Sequence, residues 1–261
     1  MTPPLYLVAE LPAEPLGALT GAEGRHAVTV RRTRVGERIL LGDGRGAVAS
    51  AEVLEVGRDE LSLRILGRQR VPEPRPRVTL AQALVKGDRG ELAVELATEA
   101  GVDHILPWRA ARCVARWDEG PRGDKALLRW RGTVASAVKQ SRRAWLPEVE
   151  PAIGTGELAG RCAAADVALV LHEDGADPLT ALADELAEAR EVLLVVGPEG
   201  GIGADELVAL VERGARATRL GPQVLRASTA AAVALGALGV LTHRWLSTEY
   251  RLRFPNCDPI G

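Results

Sequence analysis

Apolar and polar positions follow two different rhythms along the chain. Over residues 1–70 the apolar or alternating runs are short: Arg38-Ile39-Leu40-Leu41, Gly46 to Val56 and Glu60 to Leu66, separated by Gly42-Asp43-Gly44 and Gly57-Arg58-Asp59. Short runs bounded by Gly and Asp turns predict strands, and their number predicts a small β-barrel. Val71-Pro72-Glu73-Pro74-Arg75-Pro76 then places three prolines in six residues. Each fixes φ and removes a backbone donor, so this stretch reads as an extended linker and a domain boundary. Over residues 77–246 the rhythm changes. Strand-like runs at Val78–Leu84, His104–Pro107, Val167–Leu171, Val192–Val196 and Ala217–Leu220 alternate with helical periods at Arg89–Ala100, Lys125–Gln140, Leu179–Ala189, Asp205–Arg213 and Ser228–Leu241. Such alternation predicts an α/β domain with a largely parallel sheet covered by helices. The tail Ser247–Gly261 has no period and reads as an irregular end.

A length of 261 residues accommodates these two units. With 46% hydrophobic and 26% charged residues, the chain has the balance of a soluble globular protein. Its start, MTPPLYLVAELP, lacks a basic n-region, and its apolar run is too short for a signal peptide or a membrane span, so a cytoplasmic location is expected. Cys113, Cys162 and Cys257 lie far apart without metal spacing, and His26, His104, His172 and His243 are equally scattered. Neither a disulfide framework nor a metal-dependent mechanism is expected.

Charge changes the picture more than composition does. The net charge of −2 conceals ten Lys/Arg against three acids between Arg109 and Trp145, followed by fifteen acids against three arginines from Leu146 to Ala215. The first stretch suits a polyanion and the second does not. Four tryptophans, at 108, 117, 130 and 145, fall within or beside the basic stretch. Arginines neutralise phosphates and aromatic rings stack on unpaired bases, so an RNA surface is one reading; packing in a core is the other.

The chemistry concentrates in two loops. The apolar strand Val192–Val196 runs into Gly197-Pro198-Glu199-Gly200-Gly201-Ile202-Gly203, and the strand ending Thr218-Arg219-Leu220 runs into Gly221-Pro222-Gln223-Val224-Leu225-Arg226-Ala227-Ser228-Thr229. Loops at the carboxyl ends of parallel strands are where α/β sheets bind ligands. The first loop is neither GxGxxG nor a P-loop, and it has no lysine to grip a triphosphate.

These two loops resemble the signature of the SPOUT class of S-adenosylmethionine-dependent RNA methyltransferases, and within it the RsmE family, which methylates N3 of a uridine in small-subunit (16S) ribosomal RNA. The resemblance extends over nearly the whole chain: His26-Ala27-Val28-Thr29-Val30-Arg31-Arg32, Lys86-Gly87-Asp88-Arg89, Ala97 to Val102, Ile105-Leu106-Pro107, Arg129-Trp130 and Gln140-Ser141-Arg142-Arg143. This chain has Ser228-Thr229 where the family often has Glu-Thr. It has Lys139 and Arg142 where an acidic residue and a glycine are common. The resemblance implies a PUA-like RNA-binding barrel before a C-terminal domain with a trefoil knot, and a homodimer. It also implies a cofactor site at Leu171, His172, Val196, Gly197, Pro198, Glu199, Gly200, Gly201, Leu220, Gly221, Leu225, Ser228 and Thr229. RNA contacts are expected at His26, Arg31, Arg32, Lys86, Arg89, Arg112, Arg129, Gln140, Arg142 and Arg143, the partner being small-subunit RNA or the assembled subunit.

Uridine N3 must lose a proton to become a strong nucleophile, and a cation beside the adjoining carbonyl oxygens favours that loss. Arg226 is the candidate catalytic residue; as a permanent cation it is no base. Glu199 is open between accepting the proton, contacting the cofactor and shaping the loop. Ser228 and Thr229 are open between cofactor contacts and helix capping. A methyltransferase of another RNA and a non-catalytic RNA-binding assembly factor are the alternatives.

Overall fold

The computed structural model describes residues 3–117, 120–246 and 252. By contact density these divide into one unit of residues 3–73 with 138–146, and another of residues 74–137 and 147–246.

The first unit is a mixed five-stranded sheet of order β1-β3-β4-β5-β2, formed by β1 (Leu5–Leu7), β2 (Leu16–Leu19), β3 (Arg38–Gly42), β4 (Ala47–Val56) and β5 (Leu61–Arg70). β1 runs parallel to β3 and every other pairing is antiparallel. Its edge strands β1 and β2 do not pair with each other, so the expected barrel is a half-barrel. Alternate residues of the long strands, Ala49, Ala51 and Val53 on β4 and Leu61, Leu63 and Ile65 on β5, turn into one core with Tyr6, Ile39 and Leu41. Between β2 and β3 the chain forms α1 (Gly21–Arg25) and a π-helical turn over His26–Val30, elements without a signal in the hydrophobic pattern. Residues 138–146 return to this unit: Gly46 N–H bonds the Ala144 carbonyl, Leu146 N–H the Gly44 carbonyl, and the Trp145 indole N–H the carbonyls of Val71 and Pro72.

The second unit is a seven-stranded, all-parallel sheet of order β10-β12-β9-β11-β6-β7-β8. Its strands are β6 (Arg77–Ala83), β7 (His104–Trp108), β8 (Glu148–Val149), β9 (Val167–Leu171), β10 (Asp177–Pro178), β11 (Glu191–Val196) and β12 (Ala215–Arg219). Its helices are α2 (Arg89–Ala100), α3 (Pro121–Ser141, whose last turn is counted with the first unit), α4 (Thr155–Ala164), α5 (Ala183–Glu188), α6 (Ala204–Val211) and α7 (Ala227–Leu241). β11 lies between β9 and β6 and is buried from Val192 to Val196, which explains a strand apolar at every position rather than at alternate ones. The expected strands and helices are present with ends shifted by a few residues. β8, β10 and α4 are additional; α4 carries Gly156 and Gly160, which weaken a helical signal.

The end of α7 is fastened by a buried ion pair. Arg244 Nη1 stands 2.7 Å from Asp103 Oδ2, and the same guanidinium reaches the carbonyls of Pro76 and Gly101. Asp103 Oδ2 also accepts from Val78 N–H at 2.9 Å, so one carboxylate joins the start of β6 to the segment after the last helix.

Candidate functional site

The carboxyl ends of β9, β11 and β12 open onto one cleft of about 560 Å³ in the second unit. That volume is in the range of pockets that enclose a small organic ligand. The floor is made by Leu171, Val196 and Leu220, each at or just beyond a strand end, and the walls by the two glycine-containing loops. Sequence separation hides this meeting, while sheet order produces it: β12 and β11 both hydrogen-bond to β9.

The first loop takes its shape from glycine at two positions. Gly201 sits at φ +73°, a left-handed conformation costly for other residues, and its N–H bonds the Pro198 carbonyl at 2.9 Å. At Gly197 a Cβ would lie 2.7 Å from the Ile202 side chain, so only glycine lets the loop fold onto itself. Glu199 points an oxygen to within 3.6 Å of Arg89 Nη1 at the start of α2, and Arg112 Nη1 donates to the Gly200 carbonyl at 3.1 Å. The end of the loop is held by Glu206 in the first turn of α6. Its Oε2 accepts from Gly203 N–H at 3.3 Å, and its Oε1 accepts from Ala111 N–H at 2.9 Å and from the Thr155 hydroxyl at 2.7 Å. Thr155 in turn accepts the Trp108 indole N–H at 3.2 Å.

The second loop leads into α7, where Arg226 is the N-cap residue. Its carbonyl accepts the N–H groups of Thr229 and Ala230, and its exposed side chain lines the cleft. Among the described residues no hydrogen bond or ion pair engages that guanidinium. Ser228 is buried at the second helical position and lines the cleft; Thr229 follows it and donates its hydroxyl to the Arg226 carbonyl at 3.2 Å. Neither caps the helix, because the cap position, Arg226, lies two residues before Ser228 and three before Thr229. His172 accepts the Asp174 N–H on Nδ1 at 3.2 Å, which leaves Nε2 as the protonated nitrogen of the neutral ring.

Of the residues expected at a cofactor, Leu171, His172, Val196, Gly197, Pro198, Glu199, Gly200, Gly201, Leu220, Gly221, Leu225 and Ser228 all line this cleft, as does Arg226, while Thr229 does not. Arg89 and Arg112, expected at RNA, line it as well. Of the other expected RNA contacts, Lys86 is exposed ahead of α2, and Arg129 on α3 stands 3.4 Å from Glu91. His26, Arg31, Arg32, Gln140, Arg142 and Arg143 all belong to the first unit. There α1 and the returning segment are joined by the 2.8 Å Lys139–Glu23 ion pair, and Arg142 donates to the Pro3 carbonyl at 3.1 Å. Of the two readings left open for the tryptophans, packing in a core is the one found at two positions. Trp108 is wholly buried and Trp130 nearly so, with Trp117 edge-on to Trp130 at 4.8 Å, so these rings build the core. The sequence reading missed several lining residues, among them Val85, Glu173, Ile202, Gln223 and Val224, and also Glu206 behind the lining. Ile202, inside the first loop, and Gln223 and Val224, inside the second, carried a signal that could have found them.

The donor set suits a methyl donor with a flat base and an amino-acid tail. The cleft offers apolar floor residues, loop amides, a helix N-terminus for a carboxylate and no gripping lysine. Among the described residues no group of three or more His, Cys, Asp or Glu is placed to hold a metal ion.

Comparison with known proteins agrees with this reading. Residues 72–239 match the RNA methyltransferase domain and residues 19–66 the RNA methyltransferase PUA domain. The chain is 54% identical over 246 residues to the ribosomal RNA small subunit methyltransferase E of Mycobacterium bovis, covering 92% of this chain and 93% of that one. It is 30% identical to the protein of the same name from Bacillus subtilis, with 87% and 91% covered. Among solved structures, the methyltransferase E of Neisseria gonorrhoeae bound to S-adenosylmethionine superposes with a TM-score of 0.82 at 29% identity, covering 92% of this chain and 98% of that one. A Legionella pneumophila chain, also solved with that cofactor, gives a TM-score of 0.80 at 28% identity, with 92% and 98% covered. With both of its units matched and its cleft formed by the two signature loops, the chain belongs to the RsmE family of ribosomal RNA small subunit methyltransferases.

Proposed function

We propose that this protein transfers a methyl group from S-adenosylmethionine to N3 of a uridine in small-subunit ribosomal RNA. The observation that carries the reading is the convergence of both signature loops on one cleft that also presents the guanidinium of Arg226, unengaged among the described residues. When bound, the cofactor supplies an electrophilic methyl group and its own leaving group. The protein's task is then positioning and charge. Val196, Gly197, Gly200, Gly201, Leu220 and Leu225 bound the space for the donor, with Ser228 at the α7 N-terminus. Arg226 stabilises negative charge on the uracil carbonyl oxygens as the N3 proton passes to solvent water. Glu199 is committed to shaping the site, since it pairs with Arg89 at 3.6 Å.

The substrate is small-subunit RNA or the assembled subunit, met in the cytoplasm. RNA is bound by His26, Arg31, Arg32, Gln140, Arg142 and Arg143 on the first unit, with Lys86, Arg89 and Arg129 on the second. Domain limits of 1–70 and 77–246, a trefoil knot in the second domain and a homodimer complete the reading, the dimer being testable by sedimentation velocity. The deciding assay is methyl transfer to small subunits from cells lacking the protein, with mass mapping of the product base. Methylation at a ribose, or at another base, would replace the N3 reading. Arg226→Ala is expected to lower kcat by about 10²-fold or more while calorimetric affinity for S-adenosylmethionine stays within about twofold. Full activity in that variant would remove Arg226 from the mechanism.

A further inference from the structure

A loop with four glycines in seven residues loses much conformational freedom on ordering, because glycine loses more than any other residue, so its bound shape must be held by groups outside it. Two such groups stand against loop 197–203. Arg112 donates Nη1 to the Gly200 carbonyl, and its stem packs on the same residue, where an added Cβ would meet Arg112 Cβ at 3.3 Å. Glu206 binds the loop's last amide with one oxygen. With the other it binds Ala111, the residue beside Arg112, and Thr155. A turn closed by the Cys113 N–H on the Ala110 carbonyl sets Arg112 at its tip. The buried Trp108 anchors the assembly through Thr155.

We infer that Arg112 and Glu206 are positioning residues that hold the glycine loop in its donor-binding shape, Arg112 at the apex and Glu206 at the exit. The inference rests on the methyl-donor reading of the cleft. It moves Arg112 from the RNA surface to the cofactor loop, because its guanidinium is already directed at the Gly200 carbonyl.

The test is calorimetry of S-adenosylmethionine with the full chain and its Arg112→Ala, Arg112→Lys and Glu206→Gln variants, beside steady-state kinetics on unmethylated small subunits and amide exchange of residues 197–203. Arg112→Ala is expected to weaken donor binding on the order of tenfold, the value of one hydrogen bond from a charged donor. It should raise KM for the donor but not for RNA, and speed loop exchange in the free protein. Lysine, which can reach a carbonyl with a single N–H, should restore part of the affinity. Glu206→Gln should act in the same direction with a similar melting temperature. Donor affinity unchanged in both Arg112→Ala and Glu206→Gln overturns the inference. So does a KM change confined to RNA. Failure of the wild-type chain to bind the donor, with and without RNA, instead overturns the methyl-donor reading and the inference with it.

Discussion

Cys162 shows how one side chain's surroundings decide its chemistry. On α4 it is 2% exposed and packs with Leu158, Leu210 and Ala215, and this burial pushes its thiol up to about 11. The thiolate is the reactive form, so at pH 8 only about one part in a thousand is nucleophilic. Peptide mapping after alkylation at pH 8 should find Cys162 unmodified in the native protein and modified in denaturant, with native labelling rising as pH approaches 11. Native labelling at pH 8 as fast as that of a free thiol would contradict this burial. The tryptophans carry the opposite lesson. Composition placed Trp108 and Trp130 in a basic neighbourhood, but sequence distance does not report burial, and both rings fill the core.

At the scale of elements, what the sequence displays depends on whether one stretch of chain carries the whole signal. β11 is apolar from Val192 to Val196 because both its neighbours and the covering helices bury it there, and that run could be read directly. α4 could not, since its buried residues Leu158, Ala159 and Cys162 are interspersed with glycines. The glycine loops were visible as local motifs. Their holders were not, because Arg112 lies 88 residues from Gly200, and Ala111 lies 95 residues from Glu206. The Arg244–Asp103 pair is equally long-range, across 141 residues, with both side chains less than a tenth exposed. Removing one partner leaves the other charge buried and uncompensated. Arg244→Ala is therefore expected to cost about 3–5 kcal/mol. A urea midpoint within error of the wild type would show that the pair does not fasten the segment after α7.

At the scale of the molecule, the two units have separate cores, one around Tyr6, Leu41 and Leu63, the other around Leu106, Trp108 and Val195. Affinity for RNA and affinity for the donor should therefore be separable. Arg31 and Arg32 are exposed after the π-helical turn. Their double alanine variant should raise KM for RNA and flatten the salt dependence of RNA binding by about one to two in slope, with donor affinity unchanged. An unaltered slope would take both residues off the phosphate backbone.

The return of residues 138–146 to the first unit has a consequence for the order of events on the ribosome. Gly46 and Gly44 wait for partners at Ala144 and Leu146, and the carbonyls of Val71 and Pro72 wait for the Trp145 indole. At roughly 5–20 residues per second of synthesis, the half-barrel emerges about 4–15 s before the segment that completes it. The first unit thus begins to emerge before the second but is completed only at residue 146, after residues 74–137 of the second have been made, so the two units mature as interleaved stages of one vectorial process.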